Sequence, residues 1–259
     1  MDGTLDENGI WYAQGGSGGP LLLLLHGLGA NAAVWERMLP LIEASWQGRW
    51  LAPDFRGHGN SKFAGPYGYG IHAADIAALI EAETGKIYIA GHSFGGVVGA
   101  VLATGWFGPR IDGLFAFSVK ANWSDEDIRK SHEIAGKPAR SFPERAAALE
   151  WSLKLAGLHG LADPASPSWA ANVIKREGAF RAALDPGVYM APGPSFAGIL
   201  SQVAVPYRIG VGDQDRMVSE EETKQIDSRA AIFAGAGHNA HYEKPELVWQ
   251  TIQAEFTNA

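Results

Sequence analysis

Between an apolar run, Lys86 to Ala90, and a stretch rich in small residues, Gly96 to Trp106, the chain reads Gly91-His92-Ser93-Phe94-Gly95. A serine flanked by glycines at a turn from strand to helix is lifted off the sheet on a strained backbone. Strand and helix then pass so close that only glycine fits at positions 91 and 95. The segment therefore demands a strand feeding directly into a helix packed on it, the repeating unit of a parallel sheet, and it exposes one hydroxyl, Ser93. His92 is read as a neighbour that shapes the turn, since adjacent side chains on a sharp bend point apart.

Other apolar runs supply the sheet: Leu21 to Leu25, Arg49 to Ala52, Leu114 to Val119, Tyr207 to Val211 and Ala231 to Ala234. Stretches with helical spacing, such as Ile71 to Glu83, lie between most of them, as expected when helices cover a parallel sheet. The alternation fails from Lys120 to Phe196. There the sequence predicts three helical stretches and no strand: one capped by Ser124 with Asp125, Glu126 and Asp127 in its first turn, one from Glu144 to Leu155, and one from about Ser168 to Leu184. The expected fold class is thus α/β, a mostly parallel central sheet flanked by helices, with residues 1–119 and 197–259 forming the core and residues 120–196 an inserted helical cap.

A serine hydroxyl is a poor nucleophile at neutral pH and needs a base, itself held in one tautomer by a third group. Two later strands end in suitable residues: Gly212-Asp213-Gln214-Asp215 follows one and Gly235-Ala236-Gly237-His238 the other. The order serine, acid, histidine suits this strand arrangement. His238 is the expected base and Asp215 the preferred acid, with Asp213 the alternative. His241 could suggest a metal pair with His238, but no further ligand cluster accompanies it and no metal is expected. The strand Leu21 to Leu25 runs into His26-Gly27-Leu28-Gly29, and the backbone N–H groups of Leu28 and Phe94 are the expected donors to an oxyanion.

Composition narrows the chemistry further. There is no cysteine among 259 residues, which removes disulfides, thiolate metal sites and a cysteine nucleophile. The net charge of -7 and the absence of a Lys/Arg run argue against nucleic acid as a partner. Leu21 to Leu25 is too short to cross a bilayer, and Met1 to Ile10 lacks the pattern of a secretory signal, so a cytoplasmic location is expected.

Taken together, His26-Gly27, Pro53-Asp54-Phe55-Arg56-Gly57-His58-Gly59-Asn60-Ser61, the Ser93 turn, Val205-Pro206 with Gly212 to Asp215, and Gly237-His238 with Glu243-Lys244-Pro245-Glu246 resemble the α/β-hydrolase family, in its cofactor-free serine branch with a helical cap. The resemblance implies that Asp54 to Ser61 is a structural loop at the rim of the site and gives Asp54, Arg56 and His58 no chemical role. It also implies an acid three residues after the glycine ending its strand, which is Asp215. Epoxide hydrolases and haloalkane dehalogenases are similar but carry aspartate where this chain has Ser93. Carbon–carbon bond hydrolases carry a longer glycine-and-proline oxyanion segment than Leu28-Gly29-Ala30-Asn31. The expected activity is hydrolysis of a carboxylic ester or lactone of a small apolar substrate through an acyl-enzyme, without a cofactor. A cofactor-free perhydrolase or haloperoxidase and a ligand-binding protein of the same fold are the alternatives. Trp35, Trp123, Trp151 and Tyr189 are the candidates for lining the substrate pocket.

Overall fold

The computed structural model describes residues 2–193 and 195–257; Met1, Pro194, Asn258 and Ala259, which fall within the expected core and cap boundaries, lie outside the described residues. The chain begins with β1 (Thr4–Leu5), β2 (Trp11–Gly16) and β3 (Leu21–Leu25), followed by α1 (Leu39–Ser45), β4 (Arg49–Pro53) and α2 (Tyr69–Leu79). Then come β5 (Ile87–His92), α3 (Phe94–Ala103) and β6 (Gly113–Phe117). After a long excursion, α6 (Phe196–Leu200) leads to β10 (Tyr207–Gly212), α7 (Glu220–Ile226), β11 (Ala231–Phe233), α8 (Ala240–Glu243) and α9 (Pro245–Thr257). The excursion itself holds α4 (Asp125–Ala135), β7 (Ser141–Phe142), α5 (Arg145–Leu155), β8 (Val173–Arg176) and β9 (Ala179–Ala182).

Eight strands form one sheet in the order β1, β2, β4, β3, β5, β6, β10, β11. Every pairing from β4 to β11 is parallel, and at one edge β2 runs antiparallel to both its neighbours, β1 and β4. The five leucines of β3 show why a continuous apolar run is needed at the centre. All are buried, with Leu22 and Leu24 in the core on one face and Leu21, Leu23 and Leu25 in the core on the other. Side chains alternate with a period of two, so a strand covered on both faces must be apolar at every position. Each such burial contributes about 1.5–3 kcal/mol. The architecture is the expected α/β fold.

Residues 120–196 differ in part from expectation. The first helix is present with a Ser124–Asp127 capping box, and the second spans Arg145–Leu155. The third is not a helix: a short 3-10 turn, Pro167–Asn172, is followed by the hairpin of β8 and β9, which joins β7 in a separate three-stranded sheet. Glu177 and Gly178 both take positive φ, 52° and 82°, the geometry of a two-residue hairpin turn with the natural twist of its strands. Alanine, lysine and arginine in this stretch favour a helix locally, and the turn together with pairing to β7 overrides that preference. Among the described residues, no helix is long and apolar enough to cross a membrane.

Candidate active site

Because β3, β5, β10 and β11 are parallel, the turns that leave them share one edge of the sheet, the C-terminal edge where open α/β sheets collect ligand-facing groups. Those turns carry Leu28, Ser93, Asp215 and His238.

Ser93 sits at φ 51° and ψ -116°, a conformation costing a non-glycine residue about 1–3 kcal/mol. It is held there by a hydrogen bond from its N–H to Phe117 O (2.8 Å) on β6, and its own carbonyl accepts from Gly96 N–H (2.9 Å). A Cβ on Gly91 would lie 2.6 Å from Gly95 O, and one on Gly95 would collide with the carbonyl oxygen of Leu25. The strand-to-helix approach is thus as close as the two glycines imply. Among the described residues, the Ser93 hydroxyl makes no hydrogen bond of its own; in sites without ligand the contact to a base is often long and tightens with substrate.

His238 Nδ1–H donates to Asp215 Oδ2 at 2.9 Å, which leaves Nε2 as the ring's proton acceptor. The Asp215 side chain is fully enclosed, while that of His238 remains 19% exposed. Burial pushes the Asp215 carboxyl up, but the hydrogen bond and charge of His238, with the amides of Met217 (2.8 Å) and Val218 (3.1 Å), outweigh it and hold the group below the ordinary aspartate value. Asp213 points elsewhere. It is exposed and accepts from Gly235 N–H at 2.8 Å, tying the two turns together. His92 Nε2–H donates to the backbone carbonyl of His238 at 2.9 Å, so the residue before Ser93 pins the backbone of the histidine opposite. His241 is fully buried against Trp35, His92 and Phe117, and neither of its ring nitrogens has a hydrogen-bond partner.

The turn Gly27 to Gly29 is braced by the rings of His26 and His58, the second of which lies in the loop that the resemblance implied to be structural. Phe55 N–H donates to His26 Nε2 (3.0 Å) and Gly29 N–H to His58 Nε2 (3.1 Å), while the Nδ1–H groups of the two rings donate to Gly27 O (2.8 Å) and Arg56 O (3.0 Å). Burial lowers His26 to about 3 and drives His58 well below the ordinary histidine value, so both are neutral and Nε2 accepts in each. Asp54 receives Ala32 N–H (2.8 Å) and Asn60 N–H (2.9 Å). Burial raises its carboxyl to about 7 even though those amides oppose the shift. The N–H groups of Leu28 and Phe94 are not engaged by any other group among the described residues. A Cβ on Gly27 would stand 3.5 Å from Ser93 Cβ, which places this turn directly against the serine.

The end of α5, within residues 120–196, packs against this edge. Asn239, beside His238, donates from Nδ2 to the carbonyls of Ala156 (3.4 Å) and Gly157 (3.0 Å) at the end of α5. On the other flank, Gly29 at φ 79° leaves room for Leu155 O, which would be 2.8 Å from a Cβ there. Two of the four pocket candidates, Trp151 and Tyr189, line one cleft of about 360 Å³ in this region. Trp123 lies apart, half-buried beneath Lys120. Trp35 is fully buried in the core against Phe117 and His241, on the 3-10 turn Ala32–Trp35. Among the described residues there is no group of side chains suited to holding a metal ion.

A family model described as "Alpha/beta hydrolase family" matches residues 22–251. Protein phosphatase methylesterase 1 of Homo sapiens is 31% identical over 172 residues, a stretch covering 64% of this chain and 44% of that protein; the match thus takes in less than half of the relative. E-2-(Acetamidomethylene)succinate hydrolase superposes with a TM-score of 0.79 at 20% identity, covering 96% of this chain and 95% of that one. An esterase from Thermogutta terrifontis gives 0.73 at 23% identity, over 96% and 93% respectively, and at these identities both structures speak to the fold.

Proposed function

The chain belongs to the alpha/beta hydrolase family, and from that premise we propose that it is a serine hydrolase cleaving carboxylic ester bonds of a small, largely apolar substrate, with residues 120–196 acting as a cap over the site. The observation that carries this reading is the enclosed Asp215 bonded to His238 Nδ1 at the same sheet edge as the strained Ser93.

Ser93 Oγ attacks the ester carbonyl while His238 Nε2 takes its proton, forming a tetrahedral oxyanion that the Leu28 and Phe94 amides stabilise. His238 then returns the proton to the leaving alkoxide, releasing an alcohol and an acyl-enzyme. Water repeats the sequence, with its proton passing to His238 and back to Ser93 Oγ as the acid departs. Asp215 stays ionised, holding the ring and offsetting the charge it acquires. The free Leu28 and Phe94 N–H groups and the braces on Gly27 to Gly29 suit a donor pair that needs no rearrangement as charge develops. The methylesterase relative supports an ester as the bond cleaved.

The test is hydrolysis of p-nitrophenyl esters from acetate to dodecanoate by the wild type and Ser93→Ala. Activity that disappears in the variant supports the reading. Activity that survives, or none above background for the wild type on any ester, sinks it.

A further inference from the structure

The cleft beside the site carries charge that the proposed ester chemistry does not use. Its walls are apolar, with Trp151 and Leu155 from α5, Leu184, and Tyr189 facing one another, and no acidic side chain lines it. Two cations do line it, Lys137 and Arg140, and neither is ion-paired among the described residues. The Arg140 guanidinium is held between two rings, 5.2 Å from the centroid of Phe142 and 5.0 Å from that of Trp151. Stacking of this kind fixes a planar fork while leaving its N–H edge free to meet a carboxylate. Leu155 and Tyr189, which line the cleft, also reach Gly29: a Cβ there would stand 2.8 Å from Leu155 O and 3.4 Å from the Tyr189 hydroxyl. Leu155 and Tyr189 therefore stand between the turn beside Ser93 and an apolar cleft that also holds an oriented, unpartnered guanidinium, and the cleft's volume suits a small ligand.

We infer that this cleft binds an acyl chain ending in a carboxylate, with the apolar chain along Trp151, Leu155 and Tyr189 and the far carboxylate on Arg140, Lys137 adding a second positive charge. The inference rests on the proposed hydrolysis at Ser93 and names its substrate class: half-esters of α,ω-dicarboxylic acids. Burying the chain supplies affinity without direction, whereas a charge-assisted bond to a pre-aligned guanidinium selects the anionic end and sets chain length.

The experiment compares mono-p-nitrophenyl esters of dicarboxylic acids, from succinate to sebacate, with p-nitrophenyl esters of monocarboxylic acids of equal length, using wild type, Arg140→Gln and Arg140→Lys. The wild type is expected to favour the carboxylate-bearing ester in kcat/KM by roughly tenfold at one optimal length. That ratio falls to about one in Arg140→Gln, is partly kept in Arg140→Lys, and shrinks as salt is added. A wild-type ratio of one or less at every length, or an unchanged ratio in Arg140→Gln, overturns the inference while leaving the hydrolase reading intact. If neither ester series is cleaved, the hydrolase reading fails on its own, and calorimetric titration of suberate decides the cleft. Binding by wild type that is lost in Arg140→Gln supports the subsite, and no binding by wild type overturns it.

Discussion

The backbone N–H of Gly29 donates to Nε2 of His58 across 3.1 Å, between residues 29 positions apart. The bond fixes the plane of the peptide next to Leu28, whose amide is assigned to the oxyanion. His58→Ala is expected to lower kcat by roughly ten- to a hundredfold with KM changed less than threefold, because a donor aimed only at the transition state loses its support. Burial keeps His58 neutral, so the deficit should be the same at pH 6 and pH 9. A kcat within twofold of wild type would refute the role.

Asp215 and Asp213 separate cleanly. Asp215→Asn is expected to cost roughly three to four orders of magnitude in kcat on the best ester, since Asn can present an N–H to His238 Nδ1 and favour the wrong tautomer. Asp213→Asn removes only part of the Gly235 tie and should stay within about threefold of wild type. Equal losses in the two variants would mean the acid has been misassigned.

Gly95→Ala is expected to prevent folding rather than merely slow the reaction. The added methyl has nowhere to go: it meets the Leu25 carbonyl and would stand 2.6 Å from His26 O, both rigid backbone at the centre of the sheet. Such a clash exceeds about 4 kcal/mol, a large share of a typical stability. The measurement is soluble yield and circular dichroism, and a folded, cooperative variant would contradict it.

Stability should fall in acid. His26 and His241 are lowered to about 3 by burial, and burial also lowers His58, His72 and His92. Depressed histidines contribute stability that is fully present above about 6.5 and is lost as pH falls toward 3, because the unfolded chain binds protons first. Asp54, raised to about 7, acts in the opposite sense, its contribution being lost as pH rises from about 4 through 7, but it is one group against five histidines. Guanidinium midpoints from pH 8 to pH 4 should decline. His241→Leu should flatten that decline and raise the midpoint near pH 5, since it also removes two nitrogens lacking partners. A midpoint independent of pH would refute the account.

The central strands were legible because burial on both faces leaves only apolar residues, as in Leu21 to Leu25, and the Ser93 turn because its glycines answer a steric need that nothing else meets. The antiparallel edge was not: Trp11–Gly16 alternates and ends in two glycines, so no apolar run announces it. The β8–β9 hairpin was hidden by residues that favour helices, although Val173 to Ala182 around Glu177-Gly178 carried a usable turn signal. The resemblance marked Asp54 to Ser61 as a structural loop, but its individual braces on the Gly27–Gly29 turn could not be read from the residues, since a ring nitrogen meeting a backbone amide 29 residues away leaves no local pattern.

The N–H of Phe196 donates to the carbonyl of Ala121 at 3.0 Å, so the excursion between β6 and β10 leaves and returns through one hydrogen bond at adjacent strands. Its two ends are already joined, and lengthening, shortening or exchanging what lies between them adds little closure entropy and leaves the strand registration untouched. If the proposed reading holds, chemistry and selectivity sit on separately heritable parts: grafting another 122–195 segment onto this base is expected to change which esters are cleaved without asking the sheet to fold anew.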